Sequence, residues 1–197
     1  MPIIVDEGAR RALIAGATLR LAQREGVGAV TIRAVARELG RSTVFVTNYL
    51  GTRTELLLNV LSFVRAEWDL ALDGLAGTDG DRRPSLWELV RWSATEDEFD
   101  RTVRHLWLEV LSRPTAEPEL FRTLREDARR QHDDLAAAAA AGAAAPSGAL
   151  ADLAYLVLRG YYVSSIEDGA RWTPERVQTA LRQLLELAGA LLPDDPG

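Results

Sequence analysis

The chain has 197 residues, 47% of them hydrophobic, and a formal net charge of −6, which suits one large or two small domains around a buried core. It has no cysteine, which excludes disulfides, thiolate metal sites and cysteine nucleophiles. No apolar run approaches the roughly 18 residues of a membrane helix, and the opening MPIIVDEGARRA lacks a basic flank ahead of a long apolar stretch, so a cytoplasmic chain without a secretory leader is expected.

The charge is unevenly placed. Residues 1–53 hold eight arginines against four carboxylates, and the remainder fifteen against twenty-five. A basic N-terminal part on an acidic chain points to an anionic partner for that part. All 23 basic residues are arginine, which is read as coding bias and given no functional weight.

In chain order, Ala9, Leu13, Ala17 and Leu21 recur at helical spacing, and Gly26 and Gly28 end that segment. Thr31 is placed as the N-cap of a short second helix with Ile32, Val35, Ala36 and Leu39 on one face, stopped by Gly40. Ser42 caps a third helix over 43–49. Gly51 breaks it, and Thr52 caps a long fourth helix with Leu57, Val60, Leu61, Val64 and Trp68 inward. Loop signals at 77–84, 113–118 and 142–148 separate helices near 85–93, 96–112 and 118–141 from two more at 149–167 and 174–191, the last with Pro174 in its first turn. No segment alternates as a strand does. The expected fold is all-α, with about nine helices: a three-helix head joined through the long fourth helix to a C-terminal helical bundle.

Helix, tight turn at Gly40 and hydroxyl-capped helix make a helix-turn-helix. Ile32, Val35 and Leu39 are expected to pack on Val46 and Leu50, leaving Thr43, Val44, Phe45, Thr47 and Asn48 outward. A helix of this size fits the DNA major groove with its N-terminal residues toward base edges. Hydroxyls and amides suit phosphates and bases, and no acidic side chain stands there to repel them. The same pattern also occurs in plain helical bundles, with Ser42 and Thr52 as caps and Tyr49 at the edge of a core.

The segments TIRAVARELG and RSTVFVTNYLGTR, from Thr31 to Leu57 with the residues that follow them, resemble the TetR family of bacterial transcription regulators. Over the rest of the chain the likeness is one of helix number and length. The resemblance implies a phosphate contact at Thr31, a base-reading role for Arg33, a base-facing helix start at Thr43, Val44 and Phe45 behind the Ser42 cap, and phosphate contacts at Tyr49 and Arg53. Arginine pairs bidentately with guanine, although a solvated or salt-bridged Arg33 fits the sequence equally. Three positions depart from the family pattern. Arg41 replaces a small aliphatic residue, which leaves a more exposed turn or a phosphate contact. Phe45 replaces a threonine, and its ring suits a thymine methyl. Thr47 replaces a tyrosine, removing one phosphate contact.

Beyond the head, the resemblance implies a small-molecule pocket. Trp92, Phe99, Trp107, Glu109, Phe121 and Tyr162, with Val64 and Trp68 on the fourth helix, are the candidates, because aromatics with a few polar groups are what such a pocket requires. Taken singly, each reads first as an ordinary core residue. Glu109 among aromatics would favour a cationic ligand; its i, i+4 neighbour His105 reads as a surface pair with it. Two histidines give no metal cluster, and no cofactor motif is present. Leu153, Val157 and Gly160, then Leu181, Leu184, Leu185 and Ala188, form apolar stripes on the last two helices, where the resemblance places a homodimer interface.

The sequence therefore predicts a DNA-binding domain at 1–53 and a ligand-binding and dimerisation domain at 54–197. Its partners are a double-stranded, two-fold-symmetric operator, a second copy of the chain and a small-molecule effector, with no membrane and no catalysis. A repressor released by its effector is the expected function. A helical protein-binding adaptor with a non-functional head is the alternative.

Overall fold

The structure is a computed structural model that describes residues 6–75, 83–112, 118–142 and 147–188, and the side chains of these except 75 and 118–121. Nine α-helices and no strand are found among the described residues: α1 (Glu7–Glu25), α2 (Ile32–Glu38), α3 (Thr43–Thr47), α4 (Arg53–Leu75), α5 (Leu86–Ser93), α6 (Glu98–Leu111), α7 (Pro118–Gly142), α8 (Ser147–Glu167) and α9 (Pro174–Leu187). The all-α expectation holds. A 3-10 turn at Val27–Ala29, between α1 and α2, was not foreseen. Most of the three long loop segments, and the predicted end of α9, lie outside the described residues.

The chain forms two compact units. The first comprises Met1–Asp69 and Glu98–Leu120, the second Leu70–Asp97 and Phe121–Gly197. The first takes in most of α4 and all of α6. In it, α1 packs on α2, on the 3-10 turn and on α6, and α2 packs on α3. Ile14, Ala17, Leu21, Val35, Val46 and Leu50 are buried there, with Leu56, Leu57, Val60 and Val64 of α4. Burial of this kind, at about 25 cal/mol per Å² of apolar surface, holds the short helices in place, since neither α2 nor α3 is long enough to persist alone.

In the second unit α5, α8 and α9 pack on one another. Their core joins Leu86, Trp87, Val90, Leu158, Tyr161, Val177, Leu181 and Leu185 to Leu135, Ala138 and Ala139 of α7. Small residues dominate the α7 contribution, so the low-complexity alanine run has a structural use. Ser85 and Glu88 form a reciprocal capping box at the start of α5. The Tyr161 hydroxyl donates to the Thr95 carbonyl at 2.9 Å, and Gln178 donates to the Ala94 carbonyl at 2.8 Å. The second satisfies the carbonyl of Ala94, the C-cap of α5.

Candidate nucleic-acid interface

Three hydroxyl caps and one glycine set the path of residues 31–53. The Thr31 hydroxyl accepts from the Ala34 amide at 3.1 Å, Ser42 from Phe45 at 3.3 Å, and Thr52 from Glu55 at 3.1 Å. Glu55 reciprocates, accepting from the Thr52 amide at 3.2 Å and from the Gly51 amide. Between α2 and α3 the Arg41 amide donates back to Ala36 at 2.9 Å and Gly40 to Arg37 at 3.0 Å, a Schellman closure. It needs a left-handed residue at its centre, and Gly40 has φ +62°.

Val46 and Leu50 are buried, as the periodicity predicts, while Ile32 and Leu39 are only half-buried. Thr43, Thr47 and Asn48 are exposed, and Val44 is 62% exposed. The capping hydroxyls of Thr31 and Ser42 each use one lone pair as acceptor, so their protons remain for a phosphate oxygen. The Tyr49 ring stands edge-on to Phe45 at 5.9 Å, and its hydroxyl has no hydrogen bond among the described residues.

The arginines of this region divide into two sets. Arg11 pairs with Glu7 at 2.9 Å, Arg24 with Glu38 at 2.8 Å and with Glu25 at 2.9 Å, Arg20 with Glu38 at 3.6 Å, and Arg53 with Glu109 at 2.9 Å. The hydrogen bond from Arg24 holds the Glu38 carboxyl below the usual carboxylate range, and the same bond pushes the Arg24 guanidinium upward. Asp6 caps α1 through the Ala9 amide. Every carboxylate of residues 1–53 is thus engaged. Arg10, Arg33, Arg37 and Arg41 have no ion pair among the described residues. Their positive charge is left uncompensated beside the capped helix α3.

Sequence reasoning missed two of these four. Arg37 stands one turn after Arg33 on α2, exposed like it, a spacing that could have been noticed. Arg10 carries no such signal, because it meets α3 only through the tertiary packing of α1.

Arg53 is tied into the first unit. Its guanidinium donates to the carbonyls of Val30 and Val27 at 2.9 Å each, and its third nitrogen pairs with Glu109 of α6. Three of its five N–H donors are thereby used inside the first unit. The expected His105–Glu109 pair gives way for the same reason: Glu109 faces Arg53, and His105 Nδ1 lies 2.9 Å from the Arg101 carbonyl.

The pocket candidates are distributed between the units. Val64, Trp68, Phe99, Trp107 and Glu109 belong to the first, Trp92, Phe121 and Tyr162 to the second. Val64 is buried, and Trp68, Phe99, Trp107, Trp92 and Tyr162 are half-buried. The side chain of Phe121 lies outside those described. Tyr162 accepts from Gln131 at 3.3 Å, and its ring and that of Tyr155 carry the Arg159 guanidinium at 5.9 and 5.0 Å.

Of the interface candidates, Leu181 and Leu185 are wholly buried in the core of a single chain, so they cannot meet a second copy. That pair is corrected to core. Leu153 and Gly160 are exposed, Val157, Leu184 and Ala188 half-buried. Leu156, not singled out from the sequence, is 63% exposed and stands beside Leu153 on α8.

No protein-family model matches the chain. It is 30% identical over 138 residues to the HTH-type transcriptional regulator BetI of Burkholderia mallei and of Burkholderia pseudomallei, covering 70% of this chain and 71% of theirs. Among solved structures, a TetR transcription regulator from Haloarcula marismortui superposes with a TM-score of 0.76 at 20% identity, over 93% of this chain and 98% of that one. A transcriptional regulator from Saccharomonospora viridis in complex with choline superposes with a TM-score of 0.74 at 21% identity, over 90% of this chain and 95% of that one. The capped helix-turn-helix, the nine-helix order and these relatives agree: the chain belongs to the TetR family of transcriptional regulators.

Proposed function

We propose that the protein is a repressor that binds a two-fold-symmetric operator as a homodimer and leaves it when a small molecule binds. The observation that carries this reading is the division of charge in the first unit. All its early carboxylates are engaged, while Arg10, Arg33, Arg37 and Arg41 are left around a helix whose outward residues are Thr43, Val44, Thr47 and Asn48. Uncompensated arginines supply the salt-dependent, sequence-independent part of duplex affinity. Arg33 and the start of α3 supply base contacts, and Thr31, Ser42 and Tyr49 place hydroxyls on phosphates.

Dimerisation uses the exposed apolar face of α8, at Leu153, Leu156 and Gly160, with Leu184 and Ala188 of α9 at its margin. Two heads about 34–36 Å apart then meet successive major grooves. The effector is a small organic cation. The choline complex of the Saccharomonospora viridis regulator supports that class. Release follows only if the effector favours a state with lower DNA affinity.

Linkage gives the test. Choline is titrated against the protein alone, by melting temperature, and against its complex with a labelled duplex, by fluorescence anisotropy. A choline-induced rise in melting temperature and a loss of duplex affinity are expected, with choline affinity for the duplex complex weakened by the same factor, since the coupling must be equal in both directions. Stabilisation with unchanged duplex affinity would contradict effector-driven release.

A further inference from the structure

Two guanidinium groups share one aromatic ring in the first unit. Arg10, from the first turns of α1, lies 5.6 Å from the centroid of Phe45, and Arg41, from the turn before α3, lies 5.7 Å from the same centroid. We propose that Arg10, Phe45 and Arg41 form a phosphate-binding platform at the edge of the recognition helix, in which Phe45 positions two cations and reads no base. This rests on the DNA-binding reading above and specifies a contact within it.

The surroundings leave both cations free for an anion. Asp6, one turn before Arg10, is engaged with the Ala9 amide, and Glu7 with Arg11. Neither Arg10 nor Arg41 has an ion pair among the described residues. The electron-rich face of the ring attracts each guanidinium, and no carboxylate among the described residues neutralises either of them, so each can take up a backbone phosphate. The ring itself is poorly placed to meet a thymine methyl: it is half-buried, and Tyr49 stands edge-on to it at 5.9 Å.

The elements beneath the platform are fixed independently. The Arg41 backbone is held by its amide bond to Ala36, and Phe45 by the Ser42 cap. Arg10 belongs to α1, one turn past its Asp6 cap. The platform therefore joins α1 to the recognition helix across a surface where a phosphate can sit.

The test is the salt dependence of binding to a labelled duplex of random sequence, for the full chain and for Arg10→Ala, Arg41→Ala, Phe45→Leu and, as a control, the ion-paired Arg24→Ala. Circular dichroism confirms folding of each. Loss of one phosphate contact lowers the slope of log K against log salt by about 0.9 per bound protomer. Arg10→Ala and Arg41→Ala are each expected to show that drop, and Arg24→Ala to keep the full slope. Phe45→Leu, with both arginines present, is expected to weaken binding severalfold without altering the preferred bases. Slopes at the wild-type value for both arginine variants would overturn the platform while leaving the DNA-binding reading intact. A changed base preference in Phe45→Leu with undiminished random-duplex affinity would return the ring to base reading. A wild-type chain that binds no duplex at low salt would remove both. If Phe45→Leu fails to fold, the two arginine variants, neither of them in the core, decide the matter.

Discussion

Arg53, the first residue of α4, is bound to Glu109 near the end of α6 at 2.9 Å, and the same guanidinium reaches the carbonyls of Val27 and Val30. One side chain thereby ties the start of α4, the 3-10 turn and α6 into the first unit. The pair is only partly exposed, at 24% and 30% of its side-chain surface, so it is less screened than a surface ion pair. Arg53→Gln is expected to cost about 1–2 kcal/mol in chemical denaturation and to leave the salt slope of duplex binding unchanged. A slope reduced by about 0.9 with stability intact would make Arg53 a phosphate ligand instead.

Gly40 closes α2 with φ +62°, and a Cβ placed there would meet nothing within 4 Å. Gly40→Ala should therefore carry only the left-handed backbone penalty, about 1 kcal/mol. In a chain of this size that is a fall of about 2–4 °C in melting temperature. No change in melting temperature would mean that the turn relaxes to another conformation.

Glu38 gives a pH dependence with a definite sign. Its carboxyl is held low by Arg24 in the folded chain, so its contribution to stability is fully present above the unfolded value near 4.5 and is lost as pH falls through the folded value. Glu38→Gln should melt below the wild type at neutral pH, with the gap closing under acid. A gap that persists unchanged at low pH would contradict the assignment.

Leu156 and Leu185 separate interface from core. Leu156→Glu, on the exposed face of α8, should leave the helical circular dichroism signal intact and yield monomers in sedimentation. Leu185→Glu, within the α5–α9 core, should lose helicity, because an unpaired buried carboxylate is not tolerated there. A folded dimeric Leu156→Glu would move the interface elsewhere.

What was legible in the sequence was local. Thr31, Ser42 and Thr52 are caps whose hydrogen bonds span three residues, and Gly40 announces its own turn, so residues 31–52 could be read directly. Arg53 could not: its partners lie 23, 26 and 56 residues away, and family resemblance alone assigned it to phosphate. Leu181 and Leu185 share an apolar stripe with Leu184, and a stripe does not say whether its own chain or a second copy covers it. Arg10 over Phe45 was likewise hidden, because helical spacing carries no information about which helix arrives beside α3.

The most direct test is selection from a pool of random duplexes with the purified protein, beside Arg33→Ala and Tyr49→Ala. Enrichment of a two-fold-symmetric site with half-sites about 34–36 Å apart is expected, relaxed at one base position in Arg33→Ala and weakened without change of sequence in Tyr49→Ala. No enriched sequence for the wild-type chain at low salt would contradict that expectation.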